Sequence, residues 1–186
     1  VIFARKGRDA RNIPPIRLRN VDTMSLAGRV AEEARRLRAD AVFVDEGGVG
    51  AGVVDRLRQL GLDVIGVQFG AKADGIGFTG ATERYANKRA ELYGQLRQAL
   101  KAGLALPDLA DLATDLTAIE YGFNARDEIQ LEKKEQMKAR GLGSPDLADA
   151  LALTYAYPVV AGAGATRFAG GGGSAGGRLV SEFEPY

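Results

Sequence analysis

The stretch ADAVFVDEGGVGAGVVDRLRQLGLDVIGVQFG, residues 39–70, decides the predicted fold. It contains two short apolar runs, one at residues 41–44 and one within residues 63–70, which are typical of parallel strands covered on both faces. Between the runs, residues 53–60 carry apolar side chains at helical spacing, and Gly61 is placed to end that helix. A strand, a helix and a further strand in this order predict a parallel α/β unit.

The sequence on either side extends the same pattern. The further predicted elements are strands or extended segments at residues 1–7 and 13–22, helices at 24–37, 87–100 and 133–139, a short helix after Pro107, and a hairpin that turns at 124–127. We therefore predict one α/β domain over residues 1–160, with a mixed central sheet flanked by helices. Residues 161–186 begin with the run AGAGATRFAGGGGSAGG, which offers too little burial to offset chain entropy, so they are predicted to form a flexible tail.

Composition narrows the possible chemistry. The chain of 186 residues contains no cysteine and no histidine, which excludes disulfides, thiolate metal sites and every catalytic arrangement built on imidazole. A metal site would need oxygen ligands, which favour Mg²⁺ or Mn²⁺. The net charge of +1 indicates no global attraction to nucleic acid or membrane, and no apolar run approaches the ~20 residues of a membrane span.

A second stretch, GSPDLADALALTYA at residues 143–156, predicts a helix that is apolar on nearly every side yet carries two acids. Ser144 is a natural cap and Pro145 a natural first residue, so Asp146 would lie in the first turn, where a negative charge favours the helix dipole. Asp149 lies deeper, and no Lys or Arg is within one turn of it on the same helix. A buried, unpaired carboxylate costs several kcal/mol, and a divalent metal is the most economical compensation. Without metal, removal of this charge is expected to raise stability.

Asp45 is the third acid of interest because it ends the first apolar run of the central stretch. In open α/β sheets, ligands bind at the carboxyl ends of the strands. The following GGVGAG lacks the Lys-Ser/Thr of a phosphate-binding loop, and an Asp that only starts a loop is common. Together with Asp146 and Asp149, which lie on one helix face, Asp45 is predicted to complete a metal cluster.

Three segments together resemble the C-terminal nuclease domain of the large terminase subunit of tailed bacteriophages. They are VFVDEGGVGAGVVDRL (42–57), RYANKRAELYGQL (84–96) and LEKKEQMKARGLGSPDLADALALTYA (131–156), and the match runs in order over roughly residues 40–157. The resemblance implies an RNase H-like fold and a metal-dependent endonuclease that cuts double-stranded phage DNA concatemers during genome packaging. It also implies a virally encoded, soluble protein in the host cytoplasm.

Carried over by position, the resemblance implies roles for the three acids. Asp45 is the catalytic strand carboxylate, Asp149 the catalytic helix carboxylate and Asp146 an auxiliary ligand, and together they hold two Mg²⁺ or Mn²⁺ ions. Family members carry a further Asp on the first strand, which is expected upstream of Val1, and an N-terminal ATPase motor in the same polypeptide. This chain is therefore expected to be a fragment. The implied partners are double-stranded DNA, the procapsid portal and the small terminase subunit.

DNA contacts are predicted from basic residues that precede the acidic helix, although a solvated surface is the commoner explanation for any single one. The candidates are Lys133, Lys134, Lys138 and Arg140, with a less favoured N-terminal set of Arg5, Lys6, Arg8 and Arg11. Two other functions fit the same acids: another RNase H-like nuclease such as a junction resolvase, and a non-catalytic α/β module that binds a small ligand. Metal dependence would separate the enzymes from the module, and preference for linear or four-way DNA would separate the enzymes from each other.

Overall fold

The computed structural model describes residues 1–75 and 83–162. Residues 76–82 and the predicted tail from residue 163 onward lie outside these ranges. The described residues form six helices and four short strands. In chain order these are α1 (Thr23–Leu37), β1 (Phe43–Asp45), α2 (Gly50–Gln59), β2 (Ile65–Val67), α3 (Lys88–Lys101), α4 (Ala110–Ala118), β3 (Tyr121–Phe123), β4 (Ile129–Leu131), α5 (Lys134–Ala139) and α6 (Asp146–Leu153).

The central stretch folds as predicted, because β1 and β2 pair in parallel with α2 between them along the chain. Phe43 is opposite Ile65, and Asp45 is opposite Val67. The predicted hairpin is also confirmed, since β3 and β4 pair antiparallel. Both sheets are smaller than the mixed central sheet that the sequence predicts, because each contains two strands within the described residues.

The predicted N-terminal strand is the main difference in secondary structure. Residues 1–7 form only isolated bridges, from Ile2 to Ile16 and from Lys6 to Asp9. Gly7 turns the chain with a φ of 58°, a left-handed conformation that glycine adopts readily, so the extended run ends after six residues. Pro14 and Pro15, which precede the partner Ile16, have no N–H to donate to a longer ladder.

Helix starts follow local capping rules where a side chain supplies the acceptor. Asp22 caps α1 by accepting hydrogen bonds from the N–H groups of Met24 and Ser25, both at 2.9 Å. Asn87 caps α3 by accepting from the N–H of Ala90 at 2.9 Å. The start of α6 differs from the prediction, because Pro145 occupies the cap position and no side-chain cap bond forms there.

Two hydrophobic clusters hold these elements in place. In the first, α1 and α2 pack together through buried side chains that include Ala27, Ala31, Val54 and Leu57. In the second, α3 and α6 pack through buried leucines, namely Leu92, Leu96, Leu147 and Leu151, and Phe43 of β1 packs against this cluster. The end of β1 is thereby brought to the start of α6. No helix in the part of the chain that the structure describes is long and apolar enough to cross a membrane.

Candidate metal and nucleic-acid site

The carboxyl end of the parallel strand pair opens onto a pocket of about 570 Å³. Its lining includes Asp45 and the two glycines of the following turn, Arg89 of α3, and Lys133 and Lys134 at the start of α5. The pocket is therefore at the sheet edge where the sequence predicts ligand binding. Of the four basic residues predicted to contact DNA, Lys133 and Lys134 reach it.

Asp45 is placed at this edge by the turn that follows β1. Its Oδ1 accepts a hydrogen bond from the N–H of Gly47 at 3.1 Å. The turn requires glycine at position 50, because a Cβ there would lie 1.8 Å from the carbonyl oxygen of Asp45. Burial raises the pKa of Asp45 above its usual value, and the Gly47 hydrogen bond and the charge of Lys134 oppose this shift.

Asp149 is 7% exposed in the first turn of α6, and it is not unpaired. Its Oδ1 accepts hydrogen bonds from Arg89 Nε at 2.9 Å and from the hydroxyl of Tyr93 at 2.8 Å. Its Oδ2 lies 2.9 Å from Lys134 Nζ, an ion-pair distance, although Oδ2 accepts no well-oriented hydrogen bond. The positive charges that compensate Asp149 therefore come from Arg89 of α3 and Lys134 of α5, whereas the sequence predicts a metal ion in this role.

Asp45 and Asp149 interact electrostatically. The negative charge of Asp149 contributes to the raised pKa of Asp45, after burial, and the charges of Lys134 and Arg89 act in the opposite direction. Four charged side chains from β1, α3, α5 and α6 therefore interact at one sheet edge. The predicted convergence of the strand acid and the inner helix acid is consistent with this arrangement.

The structure does not bring Asp146 to this pair. Asp146 lines a separate depression with Asp111 and Asp115 of α4, and its charge adds to the burial that raises the pKa of Asp115. Among the described residues, no three acidic, histidine or cysteine side chains are close enough to hold one metal ion. The described residues therefore do not form the predicted three-carboxylate cluster, because Asp149 faces α3 whereas Asp146 stands at the start of α6 near α4.

Residues from distant parts of the chain hold α6 at both ends. At its start, Asp115 Oδ2 accepts the N–H of Leu147 at 2.9 Å and supplies the cap that Ser144 was predicted to supply. At its end, Arg5 donates from Nε to Thr154 Oγ1 at 2.9 Å and from Nη2 to the Thr154 carbonyl at 2.8 Å. The guanidinium of Arg5 also stacks 3.9 Å from the centre of the Tyr155 ring. Arg5 therefore supports α6 and is not a free contact for DNA.

The other two predicted DNA contacts, Lys138 and Arg140, do not line the pocket. Arg140 pairs with Glu120 at 2.9 Å and with Glu132, and it donates to the Ala118 carbonyl at 2.8 Å, so it ties the hairpin to α5. Lys138 is exposed on α5. Within residues 133–140, Lys133 and Lys134 therefore line the pocket, whereas Arg140 supports neighbouring elements.

Arg89 and Tyr93 are the site residues that the sequence reasoning missed. Both lie in the segment RYANKRAELYGQL, and their spacing of four residues places them on one face of a helix. An arginine and a tyrosine on one helical face are a possible partner pair for a buried acid that lacks a partner on its own helix. Periodicity alone cannot indicate that Asp149 is that acid.

The oxygen donors present fit a divalent ion in their chemistry. Asp45 offers a half-buried carboxylate, and Asp149 offers a buried Oδ2 that accepts no hydrogen bond from the protein. Hard cations such as Mg²⁺ and Mn²⁺ prefer such oxygens. Within the described residues the protein supplies two carboxylates for such an ion.

Sequence comparison alone identifies no relative: neither a known family profile nor a curated protein matches the chain. Comparison with solved structures defines the class of fold, which is that of phage terminase nuclease domains. The nuclease domain of the large terminase subunit gp2 of bacterial virus Sf6 matches with a TM-score of 0.68 and 22% identity, over 83% of this chain and 80% of that one. The resemblance to terminase nuclease domains that the sequence indicates is thereby confirmed at the level of the fold.

Two further structures of the same viral domain contain metal ions, and both are point mutants. One, with calcium, matches with a TM-score of 0.68 and 23% identity, over 83% of this chain and 80% of that one. The other, with manganese, matches with a TM-score of 0.66 and 24% identity, over 83% and 81% of the two chains.

Proposed function

We propose that this chain is a divalent-metal-dependent endonuclease with an RNase H-like fold, which cuts double-stranded phage DNA during genome packaging. The observation that carries the proposal is the state of Asp149. Its Oδ1 is held by Arg89 and Tyr93, while its buried Oδ2 accepts no hydrogen bond from the described residues and is met only by the Lys134 ammonium, at 2.9 Å. The charge of Asp149 also acts on Asp45. A carboxylate held on one oxygen, with a partly exposed lysine at the other, is suited to bind an ion when that lysine moves away.

Asp45 and Asp149 would hold Mg²⁺ or Mn²⁺, with two ions proposed from the resemblance. When bound, such ions activate a water molecule and stabilise the leaving oxygen of a phosphodiester. The role of the protein is to keep the two carboxylates in place and to deliver the phosphate. A chain without histidine can perform both tasks, since neither requires an imidazole.

Lys134 would have two roles in this function. In the metal-free protein its ammonium group compensates Asp149 from 2.9 Å, while its side chain remains 40% exposed. Because like charges repel, the Lys134 ammonium would turn from Oδ2 toward the pocket when Asp45 and Asp149 hold a divalent ion. There, together with Lys133, it would contact the phosphate backbone of DNA.

The resemblance extends the proposal to partners and location. They are double-stranded DNA as substrate, an ATPase domain in the same polypeptide, the procapsid portal and the small terminase subunit, all in the host cytoplasm. The terminase-like fold supports this assignment, and nothing in the described site is specific to one of these partners.

The test is cleavage of plasmid DNA by the natural protein, including any sequence that precedes Val1, across Mg²⁺ and Mn²⁺ titrations. Asp149→Asn and Asp45→Asn should each reduce the rate by at least about a hundredfold, because a metal ligand matters at least as much as the outer groups that support it. Asp146→Asn is the matched control on the same helix and should retain activity.

Equal loss in all three variants, or in none, would contradict the assignment. Wild-type cleavage without metal would contradict the metal dependence. A preference for four-way junctions over linear duplex would favour a resolvase, and no cleavage with retained ligand binding would favour a binding module.

A further inference from the structure

Asp149 is bound asymmetrically, which distinguishes it from an ordinary buried salt bridge. Arginine and carboxylate groups commonly pair through two parallel hydrogen bonds that use both oxygens. Here both hydrogen bonds to the carboxylate, from Arg89 Nε and from the Tyr93 hydroxyl, end on the same oxygen, Oδ1. Among the residues that the structure describes, neither Arg89 Nη2 nor Asp149 Oδ2 has a hydrogen-bond partner, although both are buried, and Oδ2 has only the Lys134 ammonium at 2.9 Å. Arg89 and Asp149 therefore do not form the two-bond arrangement that would use both carboxylate oxygens.

The two donors form one unit on α3. Arg89 and Tyr93 are four residues apart and share a helix face, and the guanidinium carbon of Arg89 lies 5.3 Å from the centre of the Tyr93 ring. Because α3 and α6 pack through buried leucines, the backbone of both donors is fixed relative to that of Asp149, and rotation of the carboxylate would break both hydrogen bonds. The donors therefore restrict rotation of the carboxylate.

Arg89 also reaches the segment that carries Lys134. Its Nη1 lies 3.4 Å from the carbonyl oxygen of Glu132, which immediately precedes the first residues of α5. One guanidinium thus contacts α6 through Asp149 and the start of α5 through Glu132. The relative position of Oδ2 and Lys134 depends on this contact.

We infer that Arg89 and Tyr93 are positioning residues that hold Asp149 by Oδ1 and keep Oδ2 as the oxygen that would bind a divalent cation. The inference rests on the proposed function, because it assigns Oδ2 to a metal ion. Neither residue is a ligand or touches substrate. Groups that orient metal ligands in this way typically contribute about 10- to 100-fold to metal affinity or activity.

Tyr93→Phe is the sharpest variant, because it removes one hydroxyl and leaves the ring and the Arg89 contact in place. Arg89→Ala is less useful, since it would leave the charge of Asp149 without its buried partner and could prevent folding. Tyr155→Phe is the matched control. The Tyr155 hydroxyl is also buried, but it has no hydrogen-bond partner to lose.

The experiment measures Mn²⁺ affinity by the loss of the free-ion electron paramagnetic resonance signal, well below the melting temperature of each variant. We expect Tyr93→Phe to weaken Mn²⁺ binding about tenfold relative to wild type, and Tyr155→Phe to match wild type. In steady-state cleavage by the natural protein, Tyr93→Phe should lower kcat and leave KM for DNA unchanged, since the Tyr93 hydroxyl bonds Asp149 and Tyr93 does not line the pocket.

The outcomes separate the two proposals. If wild type binds Mn²⁺ and Tyr93→Phe binds it equally well, the positioning role is wrong and the proposed function stands. If Tyr155→Phe loses as much affinity as Tyr93→Phe, the effect is general loosening of the core and the positioning role is again wrong. If wild type binds no Mn²⁺, the proposed function fails, and the positioning role fails with it.

Discussion

Two neighbouring residues of α3, Lys88 and Arg89, enter two buried ion networks that differ in completeness. Lys88, with a side chain 3% exposed, lies 2.7 Å from Asp74 and 3.0 Å from Glu91, which is 4% exposed. Its ammonium group also lies 4.6 Å from the centre of the Tyr157 ring. In the Arg89 network, by contrast, Arg89 Nη2 and Asp149 Oδ2 accept or donate no hydrogen bond within residues 1–75 and 83–162, and Oδ2 is paired only with the partly exposed Lys134.

We call the Lys88 network closed and the Arg89 network open, and this difference in pairing indicates that the two networks have different roles. Burial alone would lower the pKa of Lys88, but its bonds to Asp74 and Glu91 raise it, so its charge is well compensated. Buried polar groups are normally satisfied, and a group that is not calls for an explanation. The closed network serves to fix the segment before residue 76 onto α3, whereas the open one lies at the pocket. A buried charge cluster is therefore informative about function when one of its atoms lacks a partner.

The largest effect on stability is expected in the closed network. Lys88→Met should lower the free energy of unfolding by about 3–5 kcal/mol, because it leaves Glu91 charged and unpaired in the core. Urea denaturation monitored by circular dichroism measures this change. Adding Glu91→Leu to Lys88→Met should restore much of the loss, since removing both charges removes the uncompensated one. A loss below about 1 kcal/mol in the single variant would show that the network does not matter for stability.

In the open network, Asp149→Asn without metal should destabilise by a smaller amount, about 1–3 kcal/mol. Asparagine retains an oxygen that can accept from Arg89 and Tyr93, but the charge that compensates Arg89 is lost. Urea unfolding in the presence of a chelator provides the measurement. The sequence predicts the opposite, namely that removing the charge of an unpaired Asp149 stabilises the protein. If Asp149→Asn proves more stable than wild type, the prediction from sequence is right and the one from the structure is wrong.

The cap on α6 should have a more modest effect. Asp115→Ala removes the acceptor for the Leu147 N–H and should cost about 1 kcal/mol, as loss of a helix cap typically does. Asp111→Ala is the control on the same helix, because its pair with Arg17 is exposed and should contribute less than about 0.5 kcal/mol. Thermal melts of both variants under one condition would check the difference. Equal shifts would mean that Asp115 does not cap α6.

The smallest effect concerns the pH dependence of stability through Asp45. Its raised pKa means that the folded protein holds the proton more tightly than the unfolded chain does. The resulting stabilisation is complete below the ordinary aspartate pKa of about 3.9 and is lost as pH rises through the raised value. Asn cannot titrate, so Asp45→Asn should gain stability relative to wild type as pH rises. Melting temperatures of both proteins in chelator from pH 4 to 8 test this, and a constant difference would exclude it.

Several site features could be predicted from local sequence, and others could not. Asp45 follows an apolar run that ends at a glycine-rich turn, and Asp149 lies among apolar neighbours on a helix, so both acids were identifiable. Arg89 is 60 residues from Asp149, and Asp115 is 32 residues from Leu147. Spacing rules act over one or two helical turns and cannot pair such residues. For the same reason, the sequence assigned Asp146 to the metal cluster because it is three residues from Asp149.

The sequence by itself determined the order and approximate bounds of the helices, the parallel strand pair, the hairpin and the two acids at the site. Caps, glycine turns and hydrophobic periodicity act between residues that are near in the chain, and they require no knowledge of packing. Only the tertiary structure decided which charges meet. Asp149 is held by α3, Lys134 faces it from α5, and Arg5 supports α6 from 149 residues away. These contacts exist because helices from separate parts of the chain bury their apolar faces together, and that packing sets the position of every polar group between them.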